Sequence, residues 1–141
     1  MLKSNKNLTL SLLFLRLGVF IVMFMWTLDK FVNPAHSAAI LEKFYFLEGV
    51  GMQIVYALGT LEMLLILGFI SGYKKKWTYG LVLFLHASST LSSFGQYLDP
   101  WKHLLFFAAW PMLAACISLY LLRDDDTLFA LEESTVACAE K

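Results

Sequence analysis

The feature that most constrains this chain is an apolar run from Leu8 to Leu28 with an arginine, Arg16, well inside it. A helix of that length crosses the ~30 Å hydrocarbon core of a bilayer. A charge at such a depth costs at least ~2.5–3.5 kcal/mol unless another group of the protein compensates it. The run therefore predicts a membrane-spanning helix and, elsewhere in the chain, a partner for Arg16.

The composition favours a membrane protein and argues against other classes. Hydrophobic residues make up 59% of the chain and charged residues only 16%, which is too apolar for a soluble globule of this size. The first run is too long for a signal peptide and ends in Asp29-Lys30, so we expect it to stay in the mature protein. Net charge is zero and no basic tract resembles a nucleic-acid patch, so nucleic acid is not an expected partner.

Three further apolar stretches complete a set of four predicted spans, at residues 8–28, 49–72, 77–97 and 101–122. Between the first two, Asn33-Pro34 is a helix-start signal, and apolar side chains then recur at helical spacing to residue 46. The expected fold is all-α, an integral membrane four-helix bundle with a short interfacial helix between spans one and two. An ordinary ordered loop is the alternative for that connection. The predicted domains are a membrane domain, 1–126, and a polar cytoplasmic tail, 127–141.

The basic residues predict the orientation. One side of the spans is flanked by Lys3, Lys6, Lys74, Lys75, Lys76 and Arg123, and the other by Lys30, Lys43 and Lys102. The positive-inside rule then places both termini in the cytoplasm. The expected location is the bacterial inner membrane, with membrane lipids and other membrane protein subunits as partners.

Three ionisable residues are predicted to share one layer near the bilayer midplane. Counted from the cytoplasmic ends, Arg16, Glu62 and His86 each lie at a depth of ~12–15 Å. This depth predicts an ion pair between Arg16 and Glu62, with His86 beside it. Two interpretations stay open, a buried pair that only fixes helix register and a functional polar site.

A polar stripe along span three extends this layer toward the outer surface. Its residues are Tyr79, His86, Ser89, Thr90, Ser93 and Tyr97. The stripe predicts a cavity opening outward between spans one, two and three, where a quinone or a bound lipid would suit the lining. The predicted ligand-binding residues are Arg16, Lys30, Glu62, His86, Ser89, Thr90, Ser93 and Tyr97. No catalytic residue is predicted. No metal site is predicted either, because methionines in apolar spans usually serve packing and not metal binding.

Short motifs in the first two spans resemble the DoxX family of small bacterial four-helix membrane proteins. These motifs are Arg16-Leu17-Gly18, Lys30-Phe31 and Gly59-Thr60-Leu61-Glu62. The segment Trp26-Thr27-Leu28-Asp29 lacks the glycine that the family commonly has before the equivalent of Lys30. The resemblance covers about residues 10–123 and implies a four-helix bundle. It also implies a link to quinone-dependent oxidoreductases or to redox and stress proteins.

The functional expectation is a non-catalytic integral membrane subunit or partner of a quinone-linked redox complex. Two alternatives stay open, a stand-alone membrane oxidoreductase and a small transporter or channel acting as an oligomer. A thiol enzyme that reduces quinones would need a paired cysteine motif, and Cys116 and Cys138 form none.

Overall fold

The computed structural model describes residues 6–132, and every regular element in that range is a helix. Six α-helices follow in order: α1 (Lys6–Val32), α2 (Pro34–Tyr45), α3 (Met52–Ile70), α4 (Lys75–Ser92), α5 (Phe94–Tyr97) and α6 (Ala109–Leu121). A 3₁₀ helix, Leu104–Ala108, leads directly into α6. The all-α prediction is confirmed for this part of the chain.

Three helical stretches in the described range are long and apolar enough to cross a membrane. They are Lys6–Val32, Met52–Ile70 and Leu104–Leu121. These stretches correspond to the first, second and fourth predicted spans. Helix α4, which corresponds to the third, is more polar because it carries the predicted stripe of hydroxyl side chains.

The long helices bury one stripe each in a shared apolar core. Helix α1 packs against α3 and α6, and α4 packs against the same two helices. In the described range the backbones of α1 and α4 are not in contact. On α1 the buried positions recur every three or four residues, as helical geometry requires, at Thr9, Leu12, Arg16, Val19, Met23 and Thr27. The core between the helices includes Ile66, Phe69, Val82, Cys116 and Leu119.

The outward faces of the same helices are apolar as well. Large hydrophobic side chains are more than half exposed on every long helix, for example Phe14, Leu61, Phe84 and Leu121. A water-soluble monomer rarely exposes apolar surface on all sides, whereas a helix in lipid does. Length, composition and exposure together indicate a membrane protein.

Proline positions explain where two helices begin. Pro34 occupies the first position of α2, as the sequence predicts, although the Asn33 side chain makes no capping hydrogen bond. The fourth span is predicted to begin at residue 101, but helical structure begins only at Leu104. Pro111 lies in the first turn of α6, where a missing N–H costs little.

Residues 126–132, here called the strap, fold back across the turn between α3 and α4. The Leu131 N–H donates to the Ser71 carbonyl at 2.8 Å, and the Glu132 N–H donates to the Gly72 carbonyl at 3.2 Å. The backbone N–H of Lys75 donates to a Glu132 carboxylate oxygen. Residues 127–132, predicted as the start of a free tail, thus lie against the helices, and residues 133–141 of that tail lie outside the described range.

Candidate functional site

Arg16 is enclosed at the end of the helices where the strap crosses. Its side chain is 1% exposed. One guanidinium nitrogen, Nη1, donates to the Tyr79 hydroxyl at 3.2 Å, and Nη2 donates to the Leu128 carbonyl. The Tyr79 hydroxyl in turn donates to Asp126 Oδ2 at 2.8 Å.

Asp126 supplies the countercharge for Arg16. Its Oδ2 atom lies 3.6 Å from Arg16 Nη1, and its side chain is fully buried. The two remaining polar atoms, Arg16 Nε and Asp126 Oδ1, are buried without a hydrogen-bond partner in the described range. The cluster Arg16–Tyr79–Asp126 is therefore an incompletely satisfied buried ion pair that joins α1, α4 and the strap.

The predicted ion pair between Arg16 and Glu62 is wrong. Helices α1 and α3 run antiparallel, with Gly59 against Lys30 and Gly72 against Arg16. Glu62 lies ten residues before Gly72, which is a separation of ~15 Å along a helix. Counting depth from the span ends failed because Arg16 lies level with Gly72, just beyond the end of α3, rather than with the middle of that helix.

Glu62 pairs instead with Lys30, at the other end of the helices. Lys30 Nζ lies 2.7 Å from Glu62 Oε2, and the two side chains are 18% and 15% exposed. Gly59 allows this approach, because a Cβ there would come within 3.1 Å of Lys30 Cβ and of the Phe31 ring. The structure thus brings together two predicted site residues, Lys30 and Glu62, in a pair that solvent can partly reach.

A second polar contact lies next to this pair and ties α2 to α1. Asp29 Oδ2 lies 2.7 Å from His36 Nδ1 and accepts a hydrogen bond from the Ser37 hydroxyl at 3.0 Å. A shallow cleft runs between Asp29, His36, Trp26 and Met25. Sequence reasoning missed this contact. Asp29 lies in the last turn of one helix and His36 in the first turn of the next, and this short separation could have indicated that the two side chains meet.

His86 does not join Arg16 or Glu62. Its Nε2 atom lies 3.1 Å from the Ala109 carbonyl, at the junction of the 3₁₀ helix and α6. The predicted midplane layer of Arg16, Glu62 and His86 is therefore wrong, because each residue has a different partner at a different level. His86 links α4 to α6 instead.

The hydroxyl groups of the α4 stripe bond mainly to their own helix. Thr90 donates to the His86 carbonyl at 2.8 Å, and Ser93 donates to the Ser89 carbonyl at 3.1 Å. Thr90 and Ser93 are buried, whereas Ser89 is exposed. Such bonds to the preceding turn satisfy a hydroxyl without any ligand.

The cavity between spans one, two and three stays a prediction. Helices α1 and α4 lie on opposite sides of α3 and α6, and each of them contacts both of those helices. Tyr97 lies between aromatic neighbours, with its ring centroid 5.3 Å from Phe107 and 5.6 Å from Trp110. Its hydroxyl is buried without a hydrogen-bond partner in the described range.

Asp126 is the residue of the Arg16 cluster that sequence reasoning missed. It is the last of three consecutive aspartates, and only this one is buried. Nothing local distinguishes it from Asp124 and Asp125. The available signal was its place after the fourth predicted span, which the sequence puts at the same end of the helices as the start of the first.

The described residues contain no cluster of three histidine, cysteine, aspartate or glutamate side chains that could hold a metal ion. Their most buried charges form two ion pairs, Arg16–Asp126 and Lys30–Glu62. No protein-family model, no curated protein and no solved structure matches the chain.

Proposed function

We propose that this chain is an integral membrane protein in which α1, α3, α4 and the Leu104–Leu121 stretch cross the bilayer as a four-helix bundle. The outer face of α4 supports its inclusion, since Leu81, Phe84 and Leu91 on that helix are 47–65% exposed. Helix α2 lies on the outer membrane surface in this arrangement. Its charged and basic side chains, His36, Glu42 and Lys43, are exposed, whereas Ser37 is buried.

The proposed location is the bacterial inner membrane, with both termini in the cytoplasm. The distribution of lysines supports this orientation. Lys74 and Lys76 flank the α3–α4 turn, while Lys43 and Lys102 lie toward the other end of the helices. The strap and the enclosed Arg16 are then at the cytoplasmic end, and the Lys30–Glu62 pair is toward the outer surface.

The proposed function is that of a non-catalytic subunit or partner of a quinone-linked redox complex. One observation carries this proposal: two cations within the helices are each paired with a carboxylate, Arg16 with Asp126 and Lys30 with Glu62. Paired charges stabilise a scaffold, whereas acid–base catalysis needs a group free to exchange a proton with substrate. The resemblance to the DoxX family supports the link to quinone chemistry.

The ligand of such a subunit would bind next to the Lys30–Glu62 pair. This pair is partly exposed, and aromatic side chains lie beside it: Phe31 stacks on Tyr56 with ring centroids 6.3 Å apart. A quinone or lipid head group would bind the polar pair, and its apolar tail would follow the aromatic surface. Arg16 is enclosed and takes no part in this proposed site.

The test is purification of the native complex in a gentle detergent, followed by mass spectrometry of the co-purifying proteins and lipids. We expect a membrane protein partner in fixed ratio, and bound quinone that is lost in Glu62→Gln but kept in Glu132→Gln. Catalytic turnover by the isolated chain would overturn the proposal in favour of an enzyme. Ion flux in liposomes would overturn it in favour of a channel.

A further inference from the structure

A cleft of ≈ 220 Å³ lies between the first turns of α4 and the last turns of α6. Its walls are Lys76, Trp77, Gly80, Leu81 and Tyr120. Only Lys76 among these carries a charge. The cleft is therefore an apolar trough with a single cation at its edge.

Glycine at position 80 keeps this trough open. A Cβ at Gly80 would come within 3.3 Å of the Tyr120 ring, so a larger residue would press against that ring. Trp77 and Leu81 are 66% and 47% exposed, and they form the wall on the side away from the core. An acyl chain could thus lie along Trp77 and Leu81 without any side chain being displaced.

A second cation lies over the far wall of the trough. The Arg123 guanidinium is 4.9 Å from the centre of the Tyr120 ring, and its Nη1 atom donates to the Tyr120 carbonyl at 2.7 Å. Its one ion-pair partner in the described range is Asp124, at 4.0 Å and largely exposed. Lys76 forms no ion pair there. Two cations above an apolar trough thus keep most of their charge available.

We propose that this trough is a binding site for an anionic phospholipid of the cytoplasmic leaflet. Lys76 and Arg123 would contact the head-group phosphate, and one acyl chain would lie on Trp77 and Leu81. Basic residues between helices on the cytoplasmic side, with tryptophan at the interface, suit an anionic lipid. The inference rests on the membrane orientation given under Proposed function.

The experiment compares lipid binding by the full-length protein in detergent micelles doped with phosphatidylglycerol or with phosphatidylcholine. Native mass spectrometry measures bound lipid, and the melting temperature in phosphatidylcholine micelles reports folding. We expect preferential binding of phosphatidylglycerol by the native protein. Lys76→Gln should weaken that binding roughly fivefold, and Lys76→Arg should retain it.

Lys43→Gln is the matched control, since it removes one exposed positive charge at the other end of the helices. Equal binding of the two lipids, or equal losses in Lys76→Gln and Lys43→Gln, would overturn the proposal. Displacement of the lipid by millimolar glycerol 3-phosphate would overturn it in favour of a soluble phosphate site. Co-purification of a membrane protein partner is measured separately on the native protein. If no partner co-purifies but the protein still prefers phosphatidylglycerol, only the proposed function is overturned.

Discussion

Arg16 illustrates how a charge is kept inside an apolar helix. Taking an ion out of water costs several kcal/mol, and close oppositely charged and polar groups must offset that cost. Here they are Asp126, Tyr79 and the Leu128 carbonyl, none of which belongs to α1. The position of Arg16 therefore depends on segments that are far away in the sequence.

Asp126→Asn should destabilise the protein by roughly 3–5 kcal/mol, because it leaves Arg16 buried without a countercharge. The measurement is unfolding of the purified protein in detergent micelles, followed by circular dichroism. Asp124→Asn is the matched control, since Asp124 is largely exposed and lies 4.0 Å from Arg123. Identical melting of the two variants would show that Asp126 does not compensate Arg16.

Glu62→Gln, which the sequence suggests would strand Arg16, should have a smaller effect on the same measurement. It removes the partner of Lys30, whose side chain is 18% exposed and also donates to the Trp26 carbonyl at 3.4 Å. A lysine that can reach the solvent keeps part of its hydration after its partner is lost.

At the scale of elements, the α3–α4 turn holds the strap in place. Gly72 in this turn has a left-handed backbone, with φ of +63°. A Cβ there would come within 2.7 Å of Ala130 Cβ and 2.9 Å of Arg16 Nη1. The strap and the arginine can approach the turn this closely only because residue 72 is glycine.

Gly72→Ala should lower stability by about 1–3 kcal/mol through backbone strain alone, with a further loss from the displaced strap. Gly18→Ala is the control, because a Cβ at that helical position meets nothing within 4 Å. It should be neutral or stabilising by about 0.5–1 kcal/mol. Thermal unfolding of both variants checks the contrast, and equal stability would contradict the described turn.

The elements could be predicted from sequence far better than the contacts between them. The buried residues of α1, including Arg16, Met23 and Thr27, recur with the helical period, which a sequence shows directly. Pairing failed because it depends on the relative height of two helices, and Arg16 lies level with the end of α3 rather than with its middle. The pairing of Asp126 with Arg16 could not be predicted for another reason, because the strap is not a helix and its sequence has no periodic pattern. Lys30 and Glu62 are both among the predicted ligand-binding residues, but the sequence paired Glu62 with Arg16.

At the scale of the molecule, the exposed apolar surface and the lysine distribution make one orientation testable. Lys76 and Lys102 are both exposed and lie at opposite ends of the helices, whereas Lys75 is only 3% exposed. In a Cys138→Ala background, Lys102→Cys should react with a membrane-impermeant maleimide added to intact spheroplasts. Lys76→Cys should react only after permeabilisation.

The native Cys116 should not interfere with this assay, because it is buried at 2% exposure. Labelling of Lys76→Cys in intact spheroplasts, with Lys102→Cys protected, would reverse the proposed orientation. Labelling of both variants from one side would contradict the single span, α4, that is proposed to lie between them.

The strap also has a consequence for the time at which the molecule is completed during synthesis. Leu128 follows Arg16 by 112 residues, and Tyr79 follows it by 63. At ~5–20 residues per second, translation reaches Leu128 roughly 5–20 s after Arg16. Throughout that interval the first helix carries a cation without its carboxylate. An interrupted chain keeps this unpaired arginine, so the cell has a chemical difference by which it can distinguish unfinished chains from finished ones.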